Sequence, residues 1–195
     1  MMKNRWLAPV ALLTATVLLN ACAPLVVGGA ATTASLAHDR RTAGTVIEDQ
    51  SIELRIRSAL NKDPEISKQA HINITSYDGV VLLSGEAPTG AMRERAGDIA
   101  RRAKKVRRVH NEIKVAAPSS MMTRSSDTWI TTKVKTSLLS VKLKGFDPTR
   151  IKVVTENGTV YLLGLVSHAE ADAATDKARQ VKGVQRIVKL FEYLD

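Results

Sequence analysis

The chain has 195 residues, with 29 Lys and Arg against 19 Asp and Glu for a formal net charge of +10, and a single cysteine, Cys22. One thiol excludes a disulfide framework and a Cys-based metal site. A basic surface seeks anionic partners, of which nucleic acid and phospholipid headgroups are the two large classes.

Residues 1–21 read as a secretory leader. Lys3 and Arg5 precede the apolar run Trp6 to Leu19, which is too short to span a bilayer in the ordinary way. Leu19-Asn20-Ala21-Cys22 resembles the lipidation motif of bacterial lipoproteins, which implies cleavage before Cys22 and acylation of that residue. The alternative is an ordinary secretory leader with an incidental thiol. Several acyl chains on one residue make a stable anchor, so the resemblance implies a protein anchored to a membrane without spanning it. Ala23 stands where an Asp would mark inner-membrane retention, which implies the outer membrane, facing the periplasm. Without Lys3 and Arg5 the chain keeps a charge of +8. Export removes nucleic acid as the partner and leaves anionic headgroups.

Residues 22–48 are expected to be the lipidated N-terminus and a tether. An internal repeat organises the rest. Asp49, Ile52, Ile56 and Leu60 align at a constant offset with Asp127, Ile130, Val134 and Leu138, in each case an apolar stripe at helical spacing. Asp78-Gly79 and Asn157-Gly158 sit between β-rich runs and predict hairpins. Second helices follow, with Met92, Ala96, Ile99, Ala103 and Val106 as one stripe and Ala171, Ala174, Ala178 and Val181 as the other. Aligning "VRRVHNEIKV" with "VKGVQRIVKL" makes the first copy one helical turn longer and sets Arg108 against Gly183, where a positive φ would strain an arginine.

The fold class is therefore α+β: two αββαβ two-layer sandwiches in tandem, each with two helices on a three-stranded mixed sheet. They are assigned to residues 49–115 and 127–195, with residues 116–126 as linker. Strand runs such as Val80 to Leu83 and Tyr161 to Leu163 are apolar on both faces, and units of about 70 residues are near the lower limit for an independent core. The two copies are expected to lean on each other. The element order, the "DG" or "NG" hairpin followed by an apolar strand ending in Gly, and the closing "VKGV" strand resemble the BON domain. Two such domains behind a lipidation motif resemble the dual-BON outer-membrane lipoproteins. That resemblance implies phospholipid binding, a part in envelope integrity and enrichment at the division site.

The repeat also isolates a candidate binding face. Ser51 occupies the place of Trp129 and Asn61 that of Leu139, so the fold does not need an indole and an isobutyl group there. At about 100° per residue, Trp129, Thr132, Thr136 and Leu139 fall opposite the buried stripe, with Lys133 on one flank and Lys135 and Lys142 on the other. Trp favours the headgroup level of a bilayer and lysine an anionic surface. Anionic phospholipid, phosphatidylglycerol being the abundant candidate, is the expected partner of Trp129, Thr132, Lys133, Lys135, Thr136 and Leu139. A groove on another envelope protein is the rival occupant of the same face, and packing of Trp129 on the tether or the first copy the bland one. The basic run Arg101 to Arg108 is read as the solvated end of a helix. His38, His71, His110 and His168 are isolated from one another, and no HExxH, GxSxG or phosphate-loop pattern occurs, so neither enzyme, metal nor cofactor is expected.

Overall fold

The computed structural model describes residues 39–194; the leader, Cys22 and most of the expected tether lie outside them. In the first copy, Thr42 stands in extended conformation and accepts a hydrogen bond from the Thr45 amide, a donor that the first helical turn leaves open. Helix α1 follows over Ala43–Asn61 and buries Ile52, Ile56 and Leu60 on one face. Asp63 caps a short helix α2, Pro64–Gln69, with proline at a position where its missing N–H costs nothing. Strands β1 (His71–Tyr77) and β2 (Val80–Ala87) form the antiparallel hairpin, and Asp78 and Gly79 take the two positive φ values that such a tight turn needs. Helix α3 (Gly90–Arg101) leads to β3 (Arg108–Asn111) and β4 (Lys114–Val115), both parallel to β2. They are one strand interrupted at Glu112-Ile113, and the Glu112 amide still donates to the Leu83 carbonyl at 2.9 Å.

The second copy repeats this plan. Ser120 accepts from the Thr123 amide and opens α4, Met121–Leu138, whose Ile130, Val134 and Leu138 are buried. A 3₁₀ turn over Pro148–Arg150 stands in the place of α2. Strands β5 (Ile151–Glu156) and β6 (Thr159–Val166) pair antiparallel; α5 (His168–Arg179) begins with a capping box between Ser167 and Glu170; β7 (Arg186–Tyr193) runs parallel to β6. In both copies a buried aspartate of the first helix grips the hairpin turn. Asp49 accepts from the amides of Asp78 and Gly79 at 2.8 and 2.9 Å, and Asp127 from those of Asn157 and Gly158 at the same two distances.

Two sequence expectations are corrected. The first helices start at Ala43 and Met121, each six residues earlier than the tether and linker assignments allowed, because Thr42 and Ser120 supply the caps. The copies also do not differ by a helical turn: α3 and α5 are both 12 residues long. The left-handed residue matching Gly183 (φ 105°) is Lys105 (φ 71°), not Arg108. Arg108 opens β3 opposite Val80, as Arg186 opens β7 opposite Thr159. Ala103, Val106 and Val109 thus correspond to Val181, Val184 and Ile187, all half-buried against their own cores.

Each copy has a core between its helices and one face of its sheet. In the first, Ile52, Ile56 and Leu60 meet Val81 and Leu83; in the second, Ile130, Val134 and Leu138 meet Val160 and Leu162. A third cluster lies between the copies, where Leu82 and Tyr77 pack with Tyr161 and Leu163. The strands apolar on both faces serve this junction: the two sheets pack back to back, with helices on the outer sides. Two nearly sealed carboxylates sit at its rim. Glu86 (2% exposed) accepts from the Asn157 side-chain amide, and Glu156 (3% exposed) accepts from that of Asn73 at 2.8 Å. Lys152 reaches Glu53 at 3.0 Å, Arg107 reaches Glu192 at 2.7 Å, and the Tyr77 hydroxyl donates to the Arg150 carbonyl at 3.2 Å. Ahead of α1, Arg40 forks onto both carboxylate oxygens of Glu170 at 2.7 and 3.0 Å, so the segment that leads into the first copy is fastened to the second.

Candidate functional site

Helix α4 buries one face and, among the described residues, leaves the other unpartnered. Trp129 is 58% exposed and Leu139, which caps the helix C-terminus, 72% exposed. Thr132, Lys135 and Thr136 are exposed between them. The bland expectation that Trp129 packs on the tether or the first copy finds no support among the described residues.

The threonines behave less polar than their composition. The hydroxyls of Thr128, Thr132 and Thr136 donate to the carbonyls of Arg124, Thr128 and Thr132 at 2.9, 3.0 and 3.0 Å. With each hydroxyl turned back on the preceding turn, its one donor is spent within the helix and the face it leaves to solvent is poorer in free donors. Lys133 folds over the stripe from its flank. It lies half-buried over the indole, its ammonium 3.0 Å from the ring centroid of Trp129, as cation–π attraction favours at a four-residue spacing. Lys135 stays exposed in the last turn, where a cation is favoured by the helix dipole, and Lys142 is exposed beyond the helix end.

Thr132, Lys135, Thr136 and Leu139 also line a groove of about 500 Å³ that sequence reading missed. Its other walls are Leu138, the turn Pro148-Thr149, Ile151 and Lys152 of the second copy, and Arg41 and Tyr77 of the first. Nothing in the sequence brings Arg41 and Tyr77 to α4, because that contact depends on how the two sheets meet. Arg41 is held by Asp39 and Asp49 at 2.7 and 2.9 Å, and stands 3.8 Å over the Tyr77 ring. Helix α1 has exposed apolar residues of its own, Ile47 and Leu54, but no aromatic ring.

Outside the groove, burial pushes the Glu156 carboxyl above its usual range; the Asn73 amide opposes this and the charge of Glu86 adds to it. Burial also pushes Glu170 up, but the Arg40 guanidinium and the Ser167 amide outweigh it and hold that carboxyl below the usual range. The basic run from Arg101 ends α3 and enters β3: Arg101, Arg102, Lys104, Lys105 and Arg108 are exposed, while Arg107 pairs with Asp78 and Glu192. Among the described residues no group of three His, Cys, Asp or Glu could hold a metal ion, and no helix is long and apolar enough to cross a membrane.

The model of the BON domain matches residues 48–117 and again residues 126–195. The chain belongs to the BON-domain family. As a dual-BON protein it is 39% identical over 185 residues to the outer membrane lipoprotein DolP of Haemophilus influenzae, with 94% of each chain covered. It is 41% identical over 157 residues to a 21 kDa hemolysin of Actinobacillus pleuropneumoniae, covering 80% of this chain and 79% of that one. The osmotically-inducible protein Y of Escherichia coli is 31% identical over 148 residues, covering 74% and 72%. Two BON domains in this order, matched along nearly their whole length by a named lipoprotein, make the chain a DolP-like BON protein of the cell envelope.

Proposed function

We propose that this dual-BON protein is a non-enzymatic lipoprotein of the outer membrane, anchored through acylated Cys22 after removal of residues 1–21, that applies the outer face of α4 to anionic phospholipid. The observation that carries the reading is the exposure of Trp129 and Leu139 on a helix whose opposite face already packs the core, where the first copy has Ser51 and Asn61. An indole and an isobutyl group left in water cost free energy that a bilayer interface removes. Trp129, Thr132, Thr136 and Leu139 supply the apolar contact; Lys133 and Lys135 supply attraction to negative headgroups, phosphatidylglycerol being the natural candidate. The anchor holds the protein at the surface, and the weaker helix contact then acts at high effective concentration. Support of envelope integrity, with enrichment at the division site, is the cellular role that the likeness to the dual-BON lipoproteins suggests.

The test is co-sedimentation of the chain from residue 23 onward with vesicles of neutral lipid alone or with added phosphatidylglycerol. Binding should require the anionic lipid and weaken as salt rises, since the Debye length falls from about 10 Å at 0.1 M to about 3 Å at 1 M. Equal binding to both vesicles, or none to either, would refute the reading and leave a protein groove as the occupant of this face.

A further inference from the structure

We propose that the groove at the C-terminal end of α4 seats the phosphodiester headgroup of one anionic phospholipid molecule, with Lys135 and Lys152 as its cations and both BON domains in its wall. This rests on the reading that the α4 face meets lipid, and adds a discrete single-lipid site to that surface contact.

Charge separates this groove from the others. Its eleven lining residues include Arg41, Lys135 and Lys152 and no carboxylate. Three other grooves among the described residues have acidic walls: Glu48, Asp49 and Asp78 in one, Asp127 in the next, Asp127 and Glu156 in the last. A volume of about 500 Å³ is in the usual range for a small-molecule site, and far more than an inorganic ion needs. The three cations differ in availability. Arg41 is fixed between Asp39, Asp49 and the Tyr77 ring, so it gives a positive wall and not a mobile ligand. Lys152 bonds Glu53 at 3.0 Å and the Ser76 carbonyl at 3.2 Å, yet its side chain is 39% exposed, and such a half-open pair exchanges readily for a phosphate oxygen. Lys135 is exposed in the last turn of α4, and no ion pair engages it among the described residues.

The remaining wall suits a lipid better than a free anion. Leu138, Leu139, Pro148 and Ile151 are apolar, and the Thr132 and Thr136 hydroxyls are already committed to the helix backbone. A headgroup between the lysines can therefore send its acyl chains out past Leu139 along the face that carries Trp129. Because Arg41, Tyr77 and the Lys152–Glu53 contact belong to the domain junction, occupancy is felt in the first copy as well as in α4.

The experiment titrates the chain from residue 23 onward, which keeps every described residue, with short-chain phosphatidylglycerol held below its micelle concentration. Short-chain phosphatidylcholine and inorganic phosphate are the other arms, and amide chemical shifts are the readout. The site predicts saturable one-to-one binding of the anionic lipid, with shifts at Tyr77 and Lys152 as well as Lys135, and at least about tenfold weaker binding in the other two arms, as loss of one good ionic contact implies. Lys135→Gln, a change at an exposed and unpaired side chain, should weaken binding about fivefold, and Lys152→Gln by a similar factor. Trp129→Ser should weaken vesicle binding far more than short-chain binding, because the headgroup contacts of the groove do not include the indole. Vesicle binding without saturable short-chain binding overturns the groove and spares the surface reading; short-chain binding without vesicle binding does the reverse. Equal affinity for inorganic phosphate, or shifts confined to α4 and unaltered in both lysine variants, also overturns the groove.

Discussion

Trp129→Ser copies into the second BON domain what the first already has at Ser51. An indole side chain carries about 250 Å², and 58% of Trp129 is exposed, which leaves about 145 Å² for a membrane to cover. At about 25 cal/mol per Å², full transfer would be worth about 3.6 kcal/mol. A ring at headgroup depth realises about half of that, about 1.8 kcal/mol, so vesicle affinity should fall roughly twentyfold. Folding should change little. The lost contact with Lys133 is worth about 0.5–1 kcal/mol at an exposed site, and Trp and Ser rank together in helix propensity; for a chain of this size that shifts the melting temperature by about 2–4 °C at most. Ile130→Ser is the control. Its side chain is 5% exposed and packs on Gly183, so it should cost about 3–4 kcal/mol, near 10 °C. A melting curve and a vesicle-binding isotherm on the two variants, each normalised to folded protein, separate the roles. A Trp129→Ser protein that melts as low as Ile130→Ser, with vesicle affinity unchanged, would refute the assignment of this face.

Four further outcomes are expected. Lys105→Gly should stabilise the protein by about 1 kcal/mol in urea unfolding, because the lysine holds a left-handed conformation that glycine adopts freely and its repeat partner is Gly183. Thr132→Val and Thr136→Val should keep vesicle affinity within about twofold, since the hydroxyls they remove bond the helix backbone and not the solvent side; a large loss would place those hydroxyls on lipid. Glu156 has a raised carboxyl pKa, so its favourable contribution is fully present below the unfolded value and is lost as pH rises through the folded one. Glu156→Gln should therefore be more stable than the parent near pH 8, with the gap closing towards pH 4 in parallel melting series. Cys22→Ser should abolish acylation, which intact-mass measurement reads directly, because the modification needs the thiol sulfur.

The first helix of each copy was legible because its core stripe repeats at a fixed offset, and the exposed face of α4 because the first copy shows what the fold does without it. The back-to-back sheets were foreshadowed by strands with no polar side. The register after the second helix was not legible. Valines recur on both sides of the turn, so "VRRV" matched "VKGV" by letter, whereas the hydrogen bonds to Gly79 and Gly158 pair Arg107 with Gln185. Helix starts were missed because Thr42 and Ser120 lie in stretches whose composition reads as linker. The groove was beyond reach altogether: Arg41, Tyr77 and Lys152 are far apart in sequence and meet α4 only through the docking of two sheets.

That docking also limits what dissection of the protein can mean. Tyr77 and Leu82 from one copy and Tyr161 and Leu163 from the other are each other's solvent shield, and Glu86 and Glu156 find their amide partners across the same boundary. A gene truncated after either repeat would yield a chain with a naked apolar sheet and a stranded carboxylate, prone to stick to its own kind. Loss of a phenotype on deleting one repeat would then report the collapse of both. Point changes on outer helix faces, such as Ser51 and Trp129, can assign separate duties to the two halves of this duplication.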